Sequence, residues 1–193
     1  MKRNLLAIAL IAPGFAFSMG MAAPARNAAD PEIIVPDSTG FKFTDVKLVK
    51  TTPVKDQNKS GTCWCFSGTS VLEEDILRRT GKELDLSEMY GVRMAYIDKA
   101  IKYIRTDGTI NFAQGGGFPD VLYVAENYGV MPEEAYTGLN YGESKHSHYE
   151  MADALKAYLD AIRKNPNKKL STAWLPGYIG ILDAYLGKVP ETF

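Results

Sequence analysis

Cysteine and histidine are nearly missing from this chain, with two of each in 193 residues. So few cysteines exclude a disulfide-built scaffold. Cys63 and Cys65 cannot bridge each other either, because side chains two apart on a helical turn point to different faces. The fold must therefore hold by packing. His146 and His148 stand two apart without the carboxylate or cysteine pattern of a zinc site, so no metal is expected, and the polar segment 140–147 reads as a solvated loop. Charge of one sign is lacking as well. A net charge of −1 and a pI near 6.1 give no broad basic field for nucleic acid or anionic membrane. What is present is ordinary: 46% hydrophobic and 23% charged residues, a globular composition with room for one domain.

The start is the one strongly biased segment. Met1-Lys2-Arg3 is a positive n-region, Leu5 to Phe17 an apolar core and Ser18 to Ala23 a small-residue exit, the layout of a secretory signal peptide over residues 1–22. Pro13 and Gly14 interrupt an apolar run already short of the roughly 20 residues of a membrane span, so cleavage and export are expected, with no stable membrane anchor. Residues 23–40 read as a linker. Phe43, Val46, Leu48 and Val49 alternate within Phe41 to Thr52, which predicts a short strand before Thr52-Pro53.

The chemistry concentrates in Gln57 to Ser67. Asn58, Lys59, Ser60 and Gly61 are turn formers, and Trp64, Phe66, Val71, Leu72, Ile76 and Leu77 then recur at helical spacing until Thr80-Gly81. Cys63 falls in the first turn, where unpaired N–H groups and the positive end of the helix dipole favour a thiolate. Gln57 can fold back so that its amide and the Cys63 N–H form a two-donor oxyanion hole. Cys65 is expected to pack in the core.

Downstream, Asp85 with Glu88 three residues on can cap a second helix carrying Met89, Val92, Tyr96 and Ile101. Residues 106–118 read as an irregular loop, and Gly115-Gly116-Gly117 is no phosphate loop, since no Lys-Ser/Thr follows. A helix from Pro119 ends at Tyr128-Gly129, and Pro132 to Tyr136 is a turn. An amphipathic helix spans 149–164, with Met151, Leu155, Tyr158, Leu159 and Ile162 on one stripe, and a last apolar stretch runs from Trp174 to Leu186.

Pro53-Val54-Lys55-Asp56-Gln57 with Gly61-Thr62-Cys63-Trp64-Cys65-Phe66-Ser67, followed by Gly116-Gly117-Phe118-Pro119, resembles the active-site and cleft segments of papain-like cysteine peptidases. Leu86-Ser87-Glu88 and Ala125 to Val130 lean toward the bleomycin hydrolase and aminopeptidase C branch. The resemblance covers roughly residues 46–193. It implies an α+β, papain-like cysteine peptidase fold, here mainly the helical amino-terminal lobe over 41–193 with the β-rich second lobe missing.

The same resemblance implies Cys63 as nucleophile, Gln57 as oxyanion donor, and Gly116, Gly117, Phe118, Pro119 and Trp64 as substrate-binding residues. Peptides are the implied substrates, cleaved by an aminopeptidase or endopeptidase through a thioester, with no cofactor; ring-forming relatives imply a homo-oligomer. Ser60 occupies a place where many secreted relatives carry a structural cysteine. The base and its asparagine arrive about 130 to 150 residues after the cysteine in this family, so His146 and His148 come too early. The expectation is a fragment without turnover; the alternative is a non-catalytic peptide-binding remnant. A redox role for Cys63 and Cys65 fails on spacing, since Cys-Trp-Cys lacks the two-residue spacer of thioredoxin-like motifs.

Overall fold

The computed structural model of the protein describes residues 47–192 together with Gly40, Thr44 and Asp45. The residues from Lys47 onward form one compact unit, which holds all five helices of the described residues. The segment 1–22 expected to be a signal peptide and nearly all of the expected linker lie outside the described residues.

Helix α1 is Cys63–Thr80, α2 Glu88–Arg105, α3 Phe118–Tyr128, α4 Tyr149–Arg163 and α5 Trp174–Leu186. A 3-10 turn at Glu133–Ala135 lies between α3 and α4. Helix α2 is the hub and packs on each of the other four, while α1 pairs with α3 and α4 with α5. Its inward residues Met89, Val92, Ala95, Tyr96 and Ala100 are buried, and Leu155, Leu159, Tyr178 and Leu182 close the core from the α4–α5 side. Burying such side chains contributes about 1.5–3 kcal/mol each.

Glycine sets two details of α1. Gly81 takes the left-handed conformation (φ 70°) and returns its N–H to Leu77 O at 2.8 Å, closing the helix as its sequence predicts. At Gly68 a Cβ would stand 2.5 Å from Val121 Cγ2; only a missing side chain lets α3 approach this closely.

Two expectations differ from the structure. No strand forms among the described residues: 47–52 carries no regular structure and makes no bridge, with Leu48 82% exposed. Alternation marks a strand only where a second strand pairs with it, and just two isolated bridges occur, Lys59 with Ser147 and Leu86 with Pro132. The cap of α2 is Ser87, not Asp85: Ser87 Oγ accepts from Tyr90 N at 3.0 Å and donates to Tyr136 O. Asp85 is drawn away by Lys55, whose Nζ lies 2.6 Å from its carboxylate.

Candidate active site

Cys63 opens α1 and is exposed. Its helix start is uncapped, because the Thr62 hydroxyl turns to Ser60 Oγ at 2.6 Å and makes no bond to the first-turn amides. Cys65 N and Phe66 N both bond back to Thr62 O, while the Cys63 and Trp64 amides make no hydrogen bond among the described residues. Such a terminus favours an anion. Cys65, two positions on, is 1% exposed and donates to Glu88 O at 3.2 Å; burial pushes its thiol up to about 12. The two sulfurs thus divide as expected, one presented and one inert.

Gln57 does fold back over the loop. Its Nε2 donates to Ser60 O at 2.8 Å while Ser60 Oγ donates to Gln57 O at 2.8 Å, a reciprocal pair that shapes the turn three residues before the sulfur. One of its two amide hydrogens remains. Asn58 sits in the left-handed region (φ 49°), held by a 2.7 Å bond from its N–H to Asp56 Oδ1. That bond keeps the Asp56 carboxyl below the usual carboxylate range.

The glycine loop is brought against the loop that precedes α1 by a residue that sequence reasoning passed over. Gln114 Oε1 accepts from Gly61 N at 2.8 Å, and Gln114 O accepts from the Trp64 indole at 2.9 Å. Lys99, from α2, donates to Gly115 O at 2.5 Å and to Ala113 O at 3.3 Å, and lies 5.1 Å over the Trp64 ring. Burial lowers the pKa of this ammonium. Of the three glycines, Gly116 alone meets a steric demand: a Cβ there would stand 2.8 Å from the Trp64 ring and 3.0 Å from Asp120 Oδ2.

Trp64 is buried and supports this loop from below, while Phe118 and Pro119 are exposed at the head of α3. Asp120 Oδ2 accepts from Gly117 N at 2.8 Å. That donor is therefore committed to the helix start, whereas the main chain of Gly116 makes no hydrogen bond among the described residues.

The histidines correct an expectation. The tip 142–145 is exposed, but His148 is fully buried and His146 half-buried. Backbone pairing turns them inward: Lys59 N donates to His146 O and His148 N to Lys59 O, each at 3.0 Å. The rings stand 5.6 Å apart, His146 edge-on to Phe66, and both nitrogens of His148 lack a partner among the described residues. Burial lowers both pKa values, that of His148 to about 4. No hydrogen bond joins either ring to Cys63. No group of three or more His, Cys, Asp or Glu among the described residues could hold a metal.

A family model described as papain family cysteine protease matches residues 39–174. Mouse cathepsin K is 34% identical over 112 residues, covering 57% of this chain and 29% of the relative. Human cathepsin L2 is 39% identical over 87 residues, covering 44% and 23%. The chain therefore spans less than a third of the length of these relatives. Among solved structures, PepW from Lactobacillus rhamnosis superposes with a TM-score of 0.58 over 74% of this chain and 38% of that one, at 21% identity, a likeness of fold.

Proposed function

This chain belongs to the papain family of cysteine proteases, and from that premise we propose that it carries the nucleophile and one wall of a peptide-hydrolysing site. Cys63 Sγ attacks the peptide carbonyl. The amide of Cys63 and the remaining Gln57 hydrogen receive the developing oxyanion; in a complete enzyme the amine departs with the proton the thiol gave up, and water hydrolyses the thioester to acid and free thiol. Gly116 pairs with the substrate main chain, and Phe118 and Pro119 line the pocket for an apolar side chain, as in strand addition. The observation that carries this reading is the contrast between two thiols two positions apart, one exposed at an uncapped helix start and the other buried with its pKa raised.

The proton acceptor is not among the described residues, where the two histidines face the interior. We therefore expect the 193-residue chain to bind and react once without turning over. A peptidyl electrophile such as an acyl-dipeptide vinyl sulfone should label Cys63 faster than a small alkylating reagent of matched reactivity, and fluorogenic peptides should stay intact. Equal labelling rates would sink the peptide-cleft reading, and hydrolysis abolished in Cys63→Ala would sink the single-turnover one. Peptide binding without Cys63 chemistry is the second reading, favoured by the same loop geometry.

Placement in the bleomycin hydrolase and aminopeptidase C branch, export after removal of residues 1–22 and assembly into a homo-oligomer extend the proposal. They rest on the segments Leu86-Ser87-Glu88 and Ala125 to Val130 and on the leader-like start. No helix among the described residues is long and apolar enough to cross a membrane.

A further inference from the structure

Between the segment leading into the glycine loop and the first turns of α4 lies a 220 Å³ pocket that neither Cys63 nor the three glycines line. Tyr96 and Phe112 give it an aromatic wall, their ring centroids 6.2 Å apart. Tyr96 is 1% exposed, and its hydroxyl is buried without a hydrogen-bond partner. Buried polar atoms are nearly always satisfied, so this hydroxyl calls for a partner that the described residues do not supply. The space is several times the share of a single water molecule, about 30 Å³.

Helix α4 supplies the charges. Asp153 and Lys156, both in the lining, stand three apart on one helix face, yet they do not pair with each other. Lys156 Nζ lies 2.6 Å from the Asp160 carboxylate and donates to the Tyr103 hydroxyl at 3.1 Å, which spends two of its three hydrogens. Asp153 is exposed and makes no ion pair among the described residues. Gln114 completes the set: its Oε1 accepts from Gly61 N, and its amide nitrogen has no partner among the described residues. The pocket thus offers one unpaired carboxylate and three unspent donors, the Tyr96 hydroxyl, the Lys156 ammonium and the Gln114 amide. A simple anion would be opposed by Asp153, and a simple cation would leave the donors unused. A small molecule carrying both charges on a short apolar stem answers all of them.

We propose that this pocket binds a free α-amino acid with an apolar side chain, its ammonium on Asp153, its carboxylate on Tyr96, Lys156 and Gln114, and its side chain against Phe112. Hydrogen bonds to ionised groups are the strong ones, and a largely apolar pocket with a few converging polar groups is the usual form of a small-molecule site. Gln114 also holds Gly61 at the loop before α1, so the bound ligand is felt at the Gly61 amide. Nothing in this proposal uses the Cys63 thiol, and it stands apart from peptide hydrolysis.

The Cys63→Ala chain is titrated with L-leucine while backbone amide resonances are followed. The expected result is saturable shifts at Ala113, Gln114, Ala152 and Gly61, with a Kd in the millimolar range. Leucine amide lacks the carboxylate and acetyl-leucine lacks the ammonium, and each should bind at least fivefold more weakly. Leucine itself should bind at least fivefold more weakly to Asp153→Asn and to Tyr96→Phe. Both changes are near-isosteric, and the Tyr96 hydroxyl has no partner to lose, so the fold is preserved. Shifts confined to Gly117 and Phe118, which would put leucine in the peptide cleft, would overturn the proposal. Equal binding of leucine amide and acetyl-leucine, indifference to both variants, or no shift at about 10 mM leucine would each overturn it as well.

Discussion

Gly115 and Gly116 are adjacent, yet only one is constrained. A methyl group at Gly116 must displace the Trp64 indole beneath it, whereas nothing lies within 4 Å of a Cβ at Gly115. Gly116→Ala is expected to cost about 1–3 kcal/mol by overpacking and to bring peptidyl labelling of Cys63 down to the rate of a small reagent. Gly115→Ala should stay within about 0.5 kcal/mol of the parent; a thermal melt of each variant, run beside the labelling assay, checks the pair. The placement of Cys63 at the opening of α1 and of Cys65 in the core was legible because turn formers and helical spacing fix which residue opens α1. Gln114 was not, for it meets Gly61 across 53 positions, and no local periodicity records such a pairing. Lys99 escaped for the same reason: a lysine on an amphipathic helix reads as solvated until the loop it holds is seen.

Among elements, helix spacing carried well: α1 to α4 fall where the sequence places helices, and α5 occupies the apolar stretch Trp174–Leu186, whose period alone did not mark it as helical. What it missed is which polar residue closes each end. Ser87 and Asp85 are both competent caps, and the choice falls to Ser87 because Lys55 claims the carboxylate. Ser87→Ala loses both the cap and the bond to Tyr136 O, an expected cost of about 2 kcal/mol. Asp85→Ala should cost under about 1 kcal/mol, and urea denaturation of the two variants separates them. The segment His146-Ser147-His148 read as solvated because its neighbours in sequence are polar. Two backbone bonds to Lys59 reverse that, and a bridge between segments so far apart leaves no mark on local composition.

Over the whole molecule, two buried titrations oppose each other. His148 has its pKa lowered to about 4 by burial and by His146, so the unfolded chain holds more protons between there and its ordinary value near 6.5. That contribution makes stability fall as pH falls through this window. Glu133, raised to about 7, does the reverse: above 4.5 the folded chain holds the extra proton, and stability falls as pH rises toward 7. The parent is thus expected to show a shallow dependence between pH 4.5 and 6.5, where both act. His148→Leu should leave stability declining with rising pH, and Glu133→Gln should leave it climbing; parallel curves for all three proteins in chemical denaturation would contradict the assignment. The ion cluster joining α1, α2 and the leading segment is the larger stake. Lys55→Met strands the buried Glu73 and Glu88 carboxylates and is expected to cost about 3–5 kcal/mol, read as a fall in Tm.

The clip between the glycine loop and the head of α1 is made of hydrogen bonds and a stacked ammonium, and both sulfurs are free thiols. Dithiothreitol therefore has no crosslink here to cut. It should recover a sulfenylated or glutathionylated Cys63 while leaving the cleft wall in place, so that the protein can cycle through oxidation and repair without losing its shape.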